Sequence, residues 1–311
     1  MDDRPNHTEH HQYSHPLVAE LAWIIGSEPL MQSKVPGNPS HCLSGDWYAE
    51  QLRLHSDWLL DLDKNPEALL SFMPDKMLLG KRFERLVIFW FDQSPYFELV
   101  ISNHSIVENG RTLGEIDLVV REIASNEVFH IEVACKFYLS SLNSSKWDSW
   151  IGPNGNDNLG LKMDKLKKQL NMFNTSQGTD IMLDLSIPKP DPSLMIKGYF
   201  FHHFSHLFQH KSPTLCNTNY CSGWFSKLSE AHIFPGESGL WIELQKDSWL
   251  STIHNSAGRE VFTGAVLLEF INTHFKNEKR AILLARVEVR EHVLLEVDRG
   301  FIVADNWPLS N

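Results

Sequence analysis

The feature that most constrains this chain is a change of period. Leu113–Arg121 (LGEIDLVVR) and Val128–Leu139 (VFHIEVACKFYL) alternate in twos, whereas the segments before them repeat every three or four residues. A period of two sends successive side chains to opposite faces of a strand, and the short polar stretch Ile123–Glu127 between the two segments predicts a hairpin. In the second strand Phe129, Ile131, Val133, Cys135, Phe137 and Leu139 form an unbroken apolar face. His130, Glu132, Ala134, Lys136 and Tyr138 form the other. The same logic puts Ile116, Leu118 and Val120 on the core side of the first strand, and Glu115, Asp117, Val119 and Arg121 opposite.

Register then brings acids together. With Ala124–Ser125 at the tip, Glu122 opposes Glu127 and Asp117 opposes Glu132. Directly opposed side chains have Cβ atoms ~4.5–5.5 Å apart, where like charges destabilise a sheet. Two carboxylates so placed call for a cation or a shared proton between them. Hard oxygen ligands suit Mg²⁺ or Mn²⁺ better than Zn²⁺. A slip of one residue would separate the pair. A third acid, Glu84 in LGKRFERLV, falls at the edge of a helix's apolar stripe, where it is either a salt-bridged edge residue or a further ligand.

Around the hairpin the pattern predicts helices over Pro16–Met31, Asp46–Leu60 and Pro74–Phe91, the first two separated by the loop Val35–Gly45. A strand from Tyr96 precedes the hairpin. After it come a Ser/Asn/Gly/Trp-rich loop (Ser140–Asn158), a helix from Leu159 to Phe173, and strands near Ile181–Ile187 and Leu194–His202. A helix near Arg259–Phe275 and a strand pair over Ala281–Ala304, turning at Asp298–Gly300, complete the chain. This predicts a flexible tail over residues 1–15 and a single α/β domain over 16–311, with its core at about 74–202.

Composition supports a globular fold: hydrophobic residues make up 42% and charged residues 22% of the 311 positions. The net charge of −11 argues against a protein that coats nucleic acid by bulk charge and leaves room for a local basic channel. One such region is Asn143–Leu170, with Lys146, Lys162, Lys165, Lys167 and Lys168 against Asp148, Asp157 and Asp164. Trp147 and Trp150 beside it are either base-stacking platforms or packed loop residues. Four cysteines without a CxxC pair, no apolar run long enough for a membrane span and a polar start (MDDRPNHTEHH) predict a cytoplasmic protein with reduced thiols and no membrane partner. Histidines at 7, 10, 11 and 15 belong to the expected tail, with metal capture as the lesser alternative, and those at 202, 203, 206 and 210 lack the carboxylate company of a metal motif and read as surface or core residues.

Glu84 on a helix, GEIDLVV with Asp117 and HIEVACK with Glu132 and Lys136 together resemble the PD-(D/E)XK nuclease-like superfamily. More of the chain, through LGKRFERLVIFW, RTLGEIDLVVRE, IEVACKFYL, WIGPNGNDNLGLKMDKL, IKGYF and FIVADNWP, resembles the bacterial family catalogued as domain of unknown function 1853. The superfamily resemblance implies a restriction-endonuclease-like mixed sheet flanked by helices. It also implies Mg²⁺- or Mn²⁺-dependent hydrolysis of phosphodiester bonds in DNA or RNA, with Asp117 and Glu132 as metal ligands and Glu84 in support. Lys136 would be the catalytic lysine, and Gln169, with Lys162 and Lys165, would lie against the nucleic acid. One departure is plain: the position two residues after Glu132, where the motif has lysine, holds Ala134. Lys136 starts ~13 Å along the strand from Glu132 rather than ~7 Å. It must lean back, or Lys162 or Lys165 supplies the ammonium group. The rival expectation is a catalytically silent module of the same fold that binds nucleic acid or a protein partner.

Overall fold

A computed structural model describes residues 13–32, 41–108, 110–141, 145–206, 212–233, 239–253, 259–290 and 292–308. His7, His10, His11 and His210, and most of Val35–Gly45, lie outside the described residues. The last three residues of the expected tail are held in place. Tyr13 is buried, and the backbone amides of Ser14 and His15 donate to the Asp63 carboxylate at 2.9 and 2.7 Å.

The chain opens with helices. In α1 (Pro16–Gly26) proline stands at the start, where its missing N–H costs nothing, and every residue from Val18 to Ile25 is buried. A helix apolar around its circumference apart from Glu20, which is paired to Arg82 at 2.7 Å, belongs in the middle of a protein. It stops at Gly26 rather than Met31, which instead bridges to Cys216. After β1 (His41–Cys42) the helix expected over 46–60 is two, α2 (Gly45–Leu54) and α3 (Ser56–Lys64). The break falls at His55, whose buried ring bonds the Gln51 carbonyl and the Ser94 hydroxyl, both at 2.7 Å. α4 (Glu67–Phe72) follows, then α5 (Leu79–Gln93), which carries Glu84 in its first turns.

The described strands form one mixed sheet in the order β2-β3-β4-β6-β7-β11-β10-β8-β9, with β1 added to β6 and β5 to β4. β2 (Phe97–Glu108), β3 (Arg111–Glu122) and β4 (Val128–Ser140) are the antiparallel meander. β5 (Trp150–Ile151) and α6 (Leu159–Leu170) lead to α7 (Ser176–Asp184) and β6 (Asp191–His203), which pairs in parallel with β4. β7 (Ser222–Lys227), β8 (Leu240–Glu243), β9 (Phe262–Thr263), α8 (Gly264–Asn277), β10 (Ile282–Arg290) and β11 (Val293–Val303) extend the sheet.

Two strand-level expectations are corrected. Ile181–Ile187 is not a strand: Thr175 caps α7, its hydroxyl accepting from the Gly178 amide at 3.2 Å, and the run divides, with Ile181 and Met182 packing inward from the helix, Leu183 exposed on it, and Ile187 buried beyond its end. Asp298–Gly300 is not a turn but lies inside β11, opposite Leu284–Arg286, and the reversal comes at His292, with φ 67°. Asp298 is there to accept Arg286 and the Trp224 indole. Gly300 leaves room for the Trp224 ring, only 2.1 Å from where a Cβ would stand.

Helices cover both faces of the sheet. On one, α1 and α5 pack Trp23, Phe83 and Leu86 against Ile131, Val133, Phe137, Tyr199 and Phe301. On the other, α6 packs Met163 and Leu166 on Ala134, Tyr138, Leu194 and Phe200. The face of β4 expected to be polar is therefore buried as well. The alternation also fails at Ile116, which joins Val119 in a separate cluster with Met172 and Phe173 instead of the core of Leu118 and Val120. Among the described residues no helix is long and apolar enough to cross a membrane.

Candidate functional site

The site arises where two strands part. β3 and β4 pair over Leu118–Arg121 and Val128–Ile131, with Leu118 opposite Ile131, in the register read from the hairpin tip. There the ladder stops, although β3 continues outward along β2, and β4 continues along β6. Asp117 and Glu132 are the first residues inside the fork. Their side chains take over from the missing ladder bonds: the Val133 amide donates to Asp117 Oδ2 at 2.9 Å, and the Asp117 amide to Glu132 Oε1 at 3.4 Å. A buried backbone N–H needs an acceptor, and here the carboxylates supply it.

The carboxyl groups are close enough to share a proton, and both are pushed up to about 7. Burial is the main cause in each. For Asp117 the Glu132 charge comes next, with a smaller push from Glu84. The amide bond from Val133 pulls the other way. For Glu132, hydrogen bonds from Asp117 and the nearby Lys162 ammonium oppose the rise. Glu132 is fully buried and its Oε2 has no hydrogen-bond partner among the described residues. Its Oε1 is held by His130 Nε2 at 2.9 Å. Burial lowers the imidazole to about 4, so the ring is neutral and donates from Nε2, with Phe173 edge-on to it.

The other expected residues surround this pair at different depths. Glu84 is ion-paired to Lys81 at 2.6 Å, with its side chain 23% exposed, and acts on Asp117 through its charge. Gln169 reaches from α6 to the Glu115 carbonyl at 3.5 Å, and its buried Oε1 has no partner among the described residues. Lys162, half-buried on the first turn of α6, faces the acids. Burial and the ammonium groups of Lys136 and Lys165 lower it, while Asp117 and Glu132 hold it up. Lys165 is exposed.

Lys136 does not lean back toward Glu132. Its ammonium meets Asp157 Oδ2 at 2.5 Å, and the Tyr138 hydroxyl donates to the same oxygen at 3.2 Å. The cause lies in the 152–157 loop, whose Gly152 is tied to the indole of Trp307 at 3.2 Å and which brings Asp157 over β4. The two tryptophans are packed. Trp150 is buried against Phe200 with ring centroids 4.5 Å apart, and the Trp147 indole donates to the Thr214 carbonyl. Of the histidines, His202 bonds Tyr220, and His203 bonds Glu230 and Ser205.

Sequence reasoning placed His130 on the same strand face as Glu132 without pairing them, although a spacing of two on one strand was the available signal. Asp157 carried no such signal, since a loop brings it in, whereas the Lys81–Glu84 pair could have been read from its three-residue spacing on one helix.

The acids fit a divalent cation of the Mg²⁺ or Mn²⁺ type: a buried carboxylate oxygen lacks a partner, and two carboxyls resist ionising together. Among the described residues no three His, Cys, Asp or Glu side chains form a ready-made cage. Mg²⁺ is commonly held by one or two carboxylates, with water and substrate phosphate completing the shell.

Fold and site thus define a mixed α/β protein with one large helix-flanked sheet and an acidic pair in a strand fork. The family model described as Domain of unknown function (DUF1853) matches residues 19–303, and the chain belongs to that family. No curated protein and no solved structure matches it.

Proposed function

We propose that the fork is the active centre of a metal-dependent nuclease of the PD-(D/E)XK type, hydrolysing phosphodiester bonds in DNA or RNA. The observation that carries this is the buried Asp117–Glu132 pair, with one carboxylate oxygen unpartnered and an ammonium group, Lys162, beside it. Asp117 and Glu132 would hold Mg²⁺ or Mn²⁺, with Glu84 at its water shell. The ion when bound would neutralise the phosphate and lower the pKa of a bound water.

This chain's own residues do the rest. Val133 N–H fixes Asp117, His130 fixes Glu132, and α6 brings Lys162 to the side of the acids, where a phosphate oxygen or attacking water needs positive charge. Lys162 therefore takes the place first given to Lys136, and Lys165 and Gln169 line the approach from the same helix. The order α5, β2, β3, β4, α6 and β6, interrupted only by the two-residue β5 and by α7, supports the superfamily assignment.

A second reading, a silent nuclease-fold module that binds nucleic acid or a protein, is favoured by two observations: Ala134 is buried at the motif's lysine position, and Asp157 neutralises Lys136. Cleavage of mixed DNA and RNA substrates with Mg²⁺ and Mn²⁺ separates the two. The nuclease reading requires cleavage that Asp117→Ala abolishes. Cleavage unchanged in that variant, or absent throughout, rejects it.

A further inference from the structure

The acidic pair is not the only convergence in the fork. Past Ile131 the edge of β4 that faced β3 is free of strand partners until β5 joins it at Leu139. The 152–157 loop covers this stretch and leaves a cavity of about 230 Å³, lined by Lys136, Tyr138, Gly152, Asn154, Asp157 and Trp249 among others.

Two donors meet there, with a third ammonium group nearby. Lys136 and the Tyr138 hydroxyl both reach one oxygen of Asp157, at 2.5 and 3.2 Å. Lys162 lies within electrostatic range of Lys136, and its ammonium has neither ion pair nor hydrogen bond among the described residues. Lys136 is thus answered by a single, partly exposed carboxylate, while the Lys162 ammonium faces Asp117 and Glu132.

A single oxygen that takes an ammonium and a phenol O–H is the arrangement a phosphate oxygen would accept. Tyr138 is buried and fixed, so its hydroxyl is a built-in donor. Asp157 differs: its side chain is 38% exposed and it comes from a loop, so it can withdraw without disturbing the strands. A second cavity of about 350 Å³ shares Pro153, Asn154 and Trp249 with the first and reaches Arg280, on the side where the rest of a nucleotide would lie.

We infer that Lys136 and Tyr138, with the Lys162 ammonium nearby, form a phosphate subsite next to the acidic pair, and that Asp157 fills it in the free protein as an internal substitute for a backbone phosphate of a nucleic-acid strand. The strand identity rests on the nuclease reading. The subsite itself is a matter of binding and is independent of cleavage.

The test is a double-mutant cycle read by fluorescence anisotropy on a labelled single-stranded oligonucleotide, in EDTA and at low salt. Asp157→Asn should tighten binding by about 3- to 10-fold, because a competing charge leaves. Lys136→Met should weaken it and reduce the salt slope by about one. In the Lys136→Met background the Asp157 substitution should change affinity less than about 2-fold, since its target is gone.

An equal gain in both backgrounds would mean bulk charge and overturn the subsite, as would no gain at all. Asp157→Ser serves the same cycle should the asparagine variant fail to fold. Inorganic phosphate displacing the oligonucleotide from Asp157→Asn at equal concentration would overturn the assignment to a strand, and weak displacement supports it. Coupled binding without any cleavage sinks the nuclease reading alone. Cleavage with additive binding sinks the subsite alone.

Discussion

Asp117→Asn offers the sharpest test of the electrostatics. Burial and Glu132 raise the Asp117 carboxyl from 3.8 to about 7, a difference of roughly 3 pH units. At 1.36 kcal/mol per unit the ceiling is about 4 kcal/mol, and solvent reaching the half-buried group brings a realistic figure to about 1–3 kcal/mol.

The sign follows from linkage. A carboxyl whose folded-state pKa is raised stabilises the fold fully below about pH 4 and loses that contribution as pH rises through about 7. Asparagine keeps an oxygen for the Val133 amide and cannot ionise. In EDTA, the variant should therefore match wild type below about pH 4 and exceed it by a margin that grows up to about pH 7 and persists at pH 8.5. With ~2.1 cal/mol/K per residue over 311 residues, about 0.65 kcal/mol/K, the gain in Tm is about 2–5 °C.

Mn²⁺ should reverse the order at pH 8.5, raising the Tm of wild type and leaving the variant unmoved. Calorimetry across pH, with and without Mn²⁺, reads both effects. A variant less stable than wild type at pH 8.5 in EDTA, or a difference independent of pH, would refute the picture of two buried acids in conflict.

Further outcomes follow from the same geometry. Lys162→Ala should lower cleavage by about 10²–10³-fold and Lys136→Ala by much less; the reverse order in kcat would return the catalytic role to Lys136. His130→Phe keeps a ring against Phe173 but leaves Glu132 Oε1 without its donor, so Mn²⁺ affinity by calorimetric titration should fall about 10- to 100-fold and recover in part in His130→Gln; unchanged affinity rejects the orienting role. Gly198 has φ +134° and a Cβ there would stand 1.7 Å from the Lys136 carbonyl oxygen, so Gly198→Ala should cost about 2 kcal/mol or more in urea unfolding, and a neutral result would show that β4 and β6 approach less closely.

The centre of the site was legible in the sequence because it depends on local geometry. Alternation fixed which residues of β4 share a face, and a two-residue tip set the register that puts Leu118 across from Ile131. What could not be read were effects of distant chain. The face of β4 bearing Glu132 looked solvent-exposed because nothing in its own residues announces that Met163 and Leu166 of α6 lie over it. Lys136 looked available because its partner, Asp157, arrives from a loop 21 positions on. Ile181–Ile187 scanned as strand because its branched side chains outweighed the threonine cap that starts α7. In each case tertiary packing overrode a correct local preference.

The tie between the Trp307 indole and the Gly152 carbonyl has a temporal consequence. The loop that carries Asp157 takes its footing from a residue 155 positions later, so a growing chain on the ribosome holds the acidic fork long before it can complete the cover beside it. This corner cannot be completed until Trp307 has been synthesised.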